Sequence, residues 1–326
     1  MNPITKIASM FIALCCTMVF FGQSSYADPQ ETIVSGPIFQ NTTWSKAGSP
    51  YIVNGSVLVM SDAVLTIDAG VEVRFDAEKA ISIQKGTLIA RGTAAEPIKF
   101  TANTTLPQRG FWGYIQFEAD SVDATLDANG AYVSGSILQH VIVEYAGYRP
   151  QFSQESGAIR VKDAAPLIDQ SVVRNSSSDG INVAMGSITI SQSRIDDNNG
   201  AGIYIYNDYA GSCPPLPVSI TDNIVSGNSD EAAYGASFYV HAAGKLIRGN
   251  LVENNSGSGI YAASCNYNEP LSARMVVDNN VVRFNNGGQY SQHAINAHWS
   301  TVSNNEVYGN KGPGISIRDG VATAIS

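Results

Sequence analysis

The chain has 326 residues, 44% apolar and only 14% charged, which supplies a core and argues against a disordered chain. Its formal net charge of −9 disfavours non-specific attraction to nucleic acid phosphates or anionic lipid, so no nucleic acid partner is expected. With 30 glycines and no long amphipathic helical pattern, the chain reads as all-β with many turns.

In chain order, the first element is an export signal over residues 1–27. Lys6 supplies positive charge, residues 7–21 are an apolar run, and Ser25 and Ala27 are the small residues that precede a cleavage site. Cleavage near Ala27 would deliver the mature chain to the periplasm, the medium or the cell surface. No later apolar run has the length of a membrane helix, so no transmembrane segment is expected in the mature chain. Residues 28–55, with Trp44 and Tyr51, read as an N-terminal cap, and 56–326 as a repetitive body. The body opens with short alternations such as Val71/Val73/Phe75, Ile81/Ile83, Ile98/Phe100 and Ile115/Phe117, separated by Gly, Asp and Pro turns.

From residue 171 a column recurs. Ser171-Val172-Val173-Arg174-Asn175-Ser176 is followed by units beginning at Ser193, Asn223, Asn250, Asn280 and Asn305, spaced 22 to 30 residues apart. Each unit is Ser or Asn, any residue, Val or Ile, two more residues, then Ser or Asn. Between units lie strictly alternating apolar pairs: Ile159/Val161, Ile181/Val183, Ile203/Ile205, Phe238/Val240, Ile260/Ala262, Ile295/Ala297 and Ile315/Ile317. One such coil cannot bury its own Ile and Val, but a stack covers each coil with the next, so a β-solenoid is the economical architecture. The recurrent amides suit it, because stacked Asn side chains can donate to one neighbour and accept from the other.

The succession Gly-Ile-x-Ile and Asn-x-Val-x-x-Asn resembles the repeat of the right-handed parallel β-helix superfamily, pectate-lyase-like in the broad sense. The stretches 51–53, 65–71, 86–93 and 97–101 are similar to the N-terminal part of poorly characterised bacterial secreted β-helix proteins. The resemblance implies an all-β right-handed parallel β-helix. It does not imply one activity, since the superfamily spans lyases, hydrolases, epimerases and adhesins. At the C-terminus, residues 314–317 read as a strand and 320–326 as the start of the next. The helix is therefore expected either to continue in a longer protein or to associate end to end through an uncapped coil.

Alternation fixes what faces outward. One column runs Arg160, Asn182, Tyr204, Tyr239, Tyr261, Asn296, Ser316; the other runs Lys162, Ala184, Tyr206, His241, Ala263, His298, Arg318. Neither contains Asp or Glu, although the protein is acidic. Tyrosine rings suit sugar stacking and the cations suit carboxylates. Tyr204, Tyr206, Tyr239, His241, Tyr261 and His298 are therefore the expected ligand-binding residues, for a polysaccharide, an acidic one above all, or a cell-surface glycan. The competing reading is a ladder of tyrosines that stack on each other for stability. Two loops beside this face carry Cys213 and Cys265, the cysteines left after signal removal, and an oxidising compartment predicts a disulfide between them.

Catalytic signatures are sparse. Arg160, Lys162, His241 and His298 are the candidates for acid or base in a polysaccharide lyase or glycoside hydrolase. His241 and His298 stand two coils apart, about 10 Å at strand spacing, too far to share one metal. No cofactor is expected; calcium would suit a lyase, but no clear carboxylate cluster offers it a site. The residues favour a secreted glycan-binding or adhesive β-helix. A lyase or hydrolase acting on a uronate polymer, and a structural segment of a longer surface protein, stand as alternatives.

Overall fold

The computed structural model describes residues 31–149, 156–207, 216–229, 236–242, 245–264, 274–287 and 293–325. The predicted signal peptide, Cys213 and Cys265 lie outside the described residues.

Each turn of chain contributes three short strands, and each strand pairs in parallel with its counterpart one turn later. Ile159–Lys162, Leu167–Asp169 and Val172–Arg174 form one such turn. They pair with Ile181–Ala184, Ile188–Ser191 and Arg194–Asp196 respectively. The result is a parallel β-helix with three faces, here called faces 1, 2 and 3 in that order. Inward residues stack in register: Ile115, Ile159, Ile181, Ile203, Phe238, Ile260 and Ile295 follow one another on face 1, and all are fully buried. Each such side chain contributes about 1.5–3 kcal/mol when covered, which only the neighbouring coils can provide.

The corners explain the repeat. At each corner flanking face 3 a residue adopts positive φ, as Gln170, Gln192, Asp222, Asn279 and Asn304 do at one and Asn175, Asp197 and Asn254 at the other. Asn and Asp tolerate that conformation better than other non-glycine residues. The next residue points inward and joins a ladder. Along one ladder the Nδ2 groups of Asn223, Asn250 and Asn280 donate to the Oδ1 of Asn250, Asn280 and Asn305 at 2.9–3.0 Å. Along the other, Asn198, Asn228, Asn255 and Asn285 donate to the following coil's amide, ending at Asn310. Each amide also reaches a backbone carbonyl of the coil before, as Asn228 Nδ2 does to Ile195 O at 3.0 Å. The glycine of Gly-Ile-x-Ile serves this packing. A Cβ on Gly202 would lie 2.7 Å from Val225 Cγ1 and 2.8 Å from Asn228 Nδ2, and Gly180 meets Ile195 and Asn198 in the same way.

Within the stretch predicted as a cap, residues 32–55 are wound on the same three-faced path. Thr32–Ile38 pairs in parallel with Tyr51–Val59, and the buried Trp44 ring stacks on Tyr51 at 5.1 Å. The cover over the stack is thus itself a coil. An antiparallel hairpin, Thr125–Leu126 with Tyr132–Ser134, departs from the parallel pattern. At the other end Ile315–Arg318 and Val321–Ile325 extend the pairing of the preceding coil. No helix among the described residues is long and apolar enough to cross a membrane.

Candidate functional site

Face 1 brings the two outward columns together residue by residue, as alternation predicts. Arg160, Asn182, Tyr204, Tyr239, Tyr261, Asn296 and Ser316 are successive register partners, as are Lys162, Ala184, Tyr206, His241, Ala263, His298 and Arg318. Strand spacing of about 4.8 Å then forces like side chains into contact. Tyr204 and Tyr239 stack at 4.8 Å, Tyr239 and Tyr261 at 4.7 Å. Tyr239 is left only 4% exposed, with both ring faces covered by its neighbours. The middle tyrosine therefore offers no flat face to a sugar, contrary to what an outward ring implies. Tyr206 packs against His241 at 5.3 Å and Tyr261 against His298 at 5.5 Å.

The candidate acids and bases fare differently. Arg160 is 5% exposed; its guanidinium lies 3.7 Å from the centre of the Tyr114 ring and donates to the carbonyls of Gly157 and Tyr148. It pins the chain on either side of residues 149–156 and is in no position to meet a substrate as a base. Lys162 is exposed. Burial, reinforced by the nearby Arg318 guanidinium, pushes His298 below the ordinary histidine range, and its Nε2 lies 3.1 Å from Asn296 Oδ1. This favours the neutral imidazole of His298 over its cation. His241 and His298 have Ala263 between them in register. Among the described residues no group of three or more His, Cys, Asp or Glu is placed to hold a metal. One coil earlier the columns continue as Gln116, in register with Arg160, and Glu118, to which Gln116 donates. A carboxylate therefore stands at the start of this face, outside the run read from sequence.

At the N-terminal side of the tyrosine stack lies a groove of about 820 Å³, lined by Arg109, Tyr148, Arg149, Asp179, Tyr204 and Tyr206 among others. Asp179 is the sole carboxyl among its described lining residues, and it is buried. It accepts Ser156 Oγ at 2.6 Å, Asn182 Nδ2 at 2.8 Å and the Ala201 amide at 2.9 Å. Burial pushes this carboxyl above the ordinary aspartate range despite those donors. Sequence reading missed Arg109, Arg149 and Asp179, which sit in turns between strands where no periodicity marks them.

The other two faces show what outward charge does elsewhere. On face 3, Arg174 pairs with Glu144, Arg194 with Asp196 and Arg283 with Glu253, at 2.6–2.9 Å. On face 2, Arg248 pairs with Asp278 at 2.9 Å, and Asp169 accepts from Gln139 and Ser191. These carboxylates are engaged within or between coils.

Stacked parallel strands on three faces, Asn-laddered corners and an outward aromatic column define a β-solenoid. The chain belongs to the right-handed β-helix family: the "Right handed beta helix region" matches residues 152–326. The "Pectate-lyase like beta helix domain" matches residues 36–191. Similar solved structures include the A-module of the Azotobacter vinelandii mannuronan C-5 epimerase AlgE6, at 12% identity and TM-score 0.37, covering 91% of this chain and 92% of that one. An alginate lyase from Paenibacillus sp. str. FPU-7 is similar at 13% identity and TM-score 0.32, covering 79% and 92%. The Dettilon tailspike protein is similar at 12% identity and TM-score 0.31, covering 88% and 62%. These are likenesses of fold alone. No curated protein sequence matches the chain.

Proposed function

We propose that the protein binds an acidic polysaccharide in the groove beside the tyrosine stack, with the chain of sugars continuing along the exposed edges of Tyr261, His241 and His298. One observation carries this reading. In a protein of net charge −9, the groove has two arginines at its wall, and the one carboxyl among its described lining residues is buried and held by three donors. Arginine binds carboxylates through paired donors, and tyrosine offers apolar ring edges with a polar tip. A cavity of this size suits a few sugar units. The test is retention on immobilised polyuronate. Arg149→Ala combined with Tyr204→Ala should cut retention at least tenfold while the circular dichroism stays that of the wild type. Unchanged retention would remove the groove from consideration.

A second reading, cleavage of a uronate polymer, draws on Asp179. A carboxyl that keeps its proton to higher pH than usual is what a general acid needs. Incubation with a panel of uronate polymers, following unsaturated ends by absorbance and new reducing ends, tests it. Absence of both products across the panel would leave binding as the activity.

A further inference from the structure

A second cavity, of about 550 Å³, opens on face 3 where Glu72–Phe75, Ile98–Ala102 and Val141–Glu144 lie side by side. It is distinct from the groove. Residues 103–105 and Pro107 line this cavity, whereas Arg109 and Gly110 line the groove, so the two openings flank one loop. At its base Glu144 is 3% exposed. Its Oε1 accepts Lys99 Nζ at 2.9 Å and Thr101 Oγ1 at 3.0 Å; its Oε2 accepts Arg174 Nη2 at 2.7 Å and Nε at 3.0 Å. Both oxygens are therefore filled. Burial alone would raise this carboxyl, but the bonds from Lys99, Arg174 and Thr101 prevail and hold it below the usual glutamate range.

The donors are not filled to the same extent. Lys99 gives Glu144 one of its three N–H groups and is two-fifths exposed. Arg74, which also lines the cavity, pairs through Nη2 with Glu72 at 3.0 Å, while Nη1 has Glu31 no nearer than 3.8 Å. Glu72 stands in register with Lys99 and Arg74 with Thr101, so the ammonium and the guanidinium occupy adjacent strands over one opening. The cavity thus has anchored cations with spare donors and two lining carboxylates, of which Glu144 is buried with no acceptor position left and Glu72 is bonded through Oε2 to Arg74. Hydroxyl and amide groups of Thr101, Asn103 and Thr105 complete its wall.

We infer that this cavity is a second saccharide site, which seats the carboxylate of a uronate unit between Arg74 and Lys99 and its ring hydroxyls on Thr101, Asn103 and Thr105. The inference rests on the acidic-glycan reading for the nature of the occupant, but not for its place. The experiment is calorimetric titration of the full chain with uronate trisaccharides (galacturonate, mannuronate and guluronate) and with a neutral trisaccharide. Thr105→Trp fills the cavity from an exposed loop position and leaves the Glu144 network intact. Arg74→Met removes a cation that Glu144 does not use. Two sites per chain are expected for at least one uronate. Thr105→Trp and Arg74→Met should each reduce this to one, and Arg149→Ala should likewise leave one. If Arg149→Ala abolishes all binding and Thr105→Trp changes nothing, the second site is refuted and the groove stands. If the cavity variants abolish binding and Arg149→Ala changes nothing, the groove reading fails and the second site stands. A neutral trisaccharide bound equally well would overturn the anionic assignment, and no binding by any uronate would overturn both.

Discussion

Replacing Tyr239 by alanine separates the two roles open to the aromatic column. Its ring is almost wholly covered and lies between Tyr204 and Tyr261, with interplanar angles of 12° and 5°. Truncating a buried aromatic side chain costs about 3–5 kcal/mol, and each stacked pair accounts for roughly 0.5–1.5 kcal/mol of that. Tyr204 is less buried and takes part in one of the two stacks, so Tyr204→Ala should cost only about 1–3 kcal/mol. Urea unfolding followed by far-ultraviolet circular dichroism measures both, with the slope compared to confirm that the same surface is exposed. Tyr239→Ala should lose the more stability yet keep polyuronate retention when assayed folded; Tyr204→Ala should show the reverse ranking. In a double-mutant cycle the pair should couple by about 0.5–1.5 kcal/mol. A Tyr239→Ala protein within about 1 kcal/mol of the wild type, or a coupling near zero, would refute the claim that strand spacing converts this column into packing.

The same stack makes further predictions. Asn255→Ala removes an amide whose Oδ1 accepts the Asn228 backbone N–H and whose Nδ2 donates to Val225 O. Leaving those buried groups unpaired should cost about 2–5 kcal/mol. Asn310→Ala, at the half-exposed end of the same ladder, should cost below about 1 kcal/mol because water replaces the amide. Equal midpoints in urea would contradict the ladder. For Glu144, whose folded pKa is depressed, the sign is that of a carboxylate stabilised by its partners. Its contribution is fully present above the unfolded value of about 4.5 and is lost as pH falls through the lower folded value. Thermal melts of Glu144→Gln should therefore show a deficit against the wild type at pH 7 that shrinks below pH ~4; a pH-independent difference would argue against the ion pairs.

Most of the scaffold was legible because a strand has a period of two. Once Ile203 and Ile205 are inward, Tyr204 and Tyr206 must face outward, and the same alternation in the next two coils places Tyr239 and Tyr261 above them. The ladders were legible for a related reason: an inward amide recurring at one corner has its own kind as neighbour. What the columns do to each other was less visible. Register at strand spacing turns three outward rings into a stack, and this follows from distance, which a list of residues does not contain. The groove was not legible at all. Arg109, Arg149 and Asp179 come from turns on different coils, and turn residues carry no alternation to say which way they point. Glu144 carries no mark of its role in the sequence, because its cation partners lie 45 residues before it and 30 after it, at Lys99 and Arg174.

The distribution of charge ties these features together. A tube built from identical corners would place acidic and basic residues evenly, yet most carboxylates described on faces 2 and 3 pair within a coil or with the next coil. Such pairs contribute little stability individually where they are exposed. Their effect is on the field: a carboxylate satisfied at 2.6–2.9 Å by its own guanidinium projects little potential beyond it. Arg109 and Arg149 line an opening that has no such partner among its described lining residues except Asp179, whose burial favours the uncharged form. Screening in physiological salt acts over about 8 Å, comparable to the width of two coils, so the net −9 of distant residues does not cancel the groove's local charge. An acidic protein can in this way keep a local anion-attracting surface, here at the corner of face 1 where Arg109 and Arg149 line the groove and the outward columns from Arg160 and Lys162 onward hold no Asp or Glu.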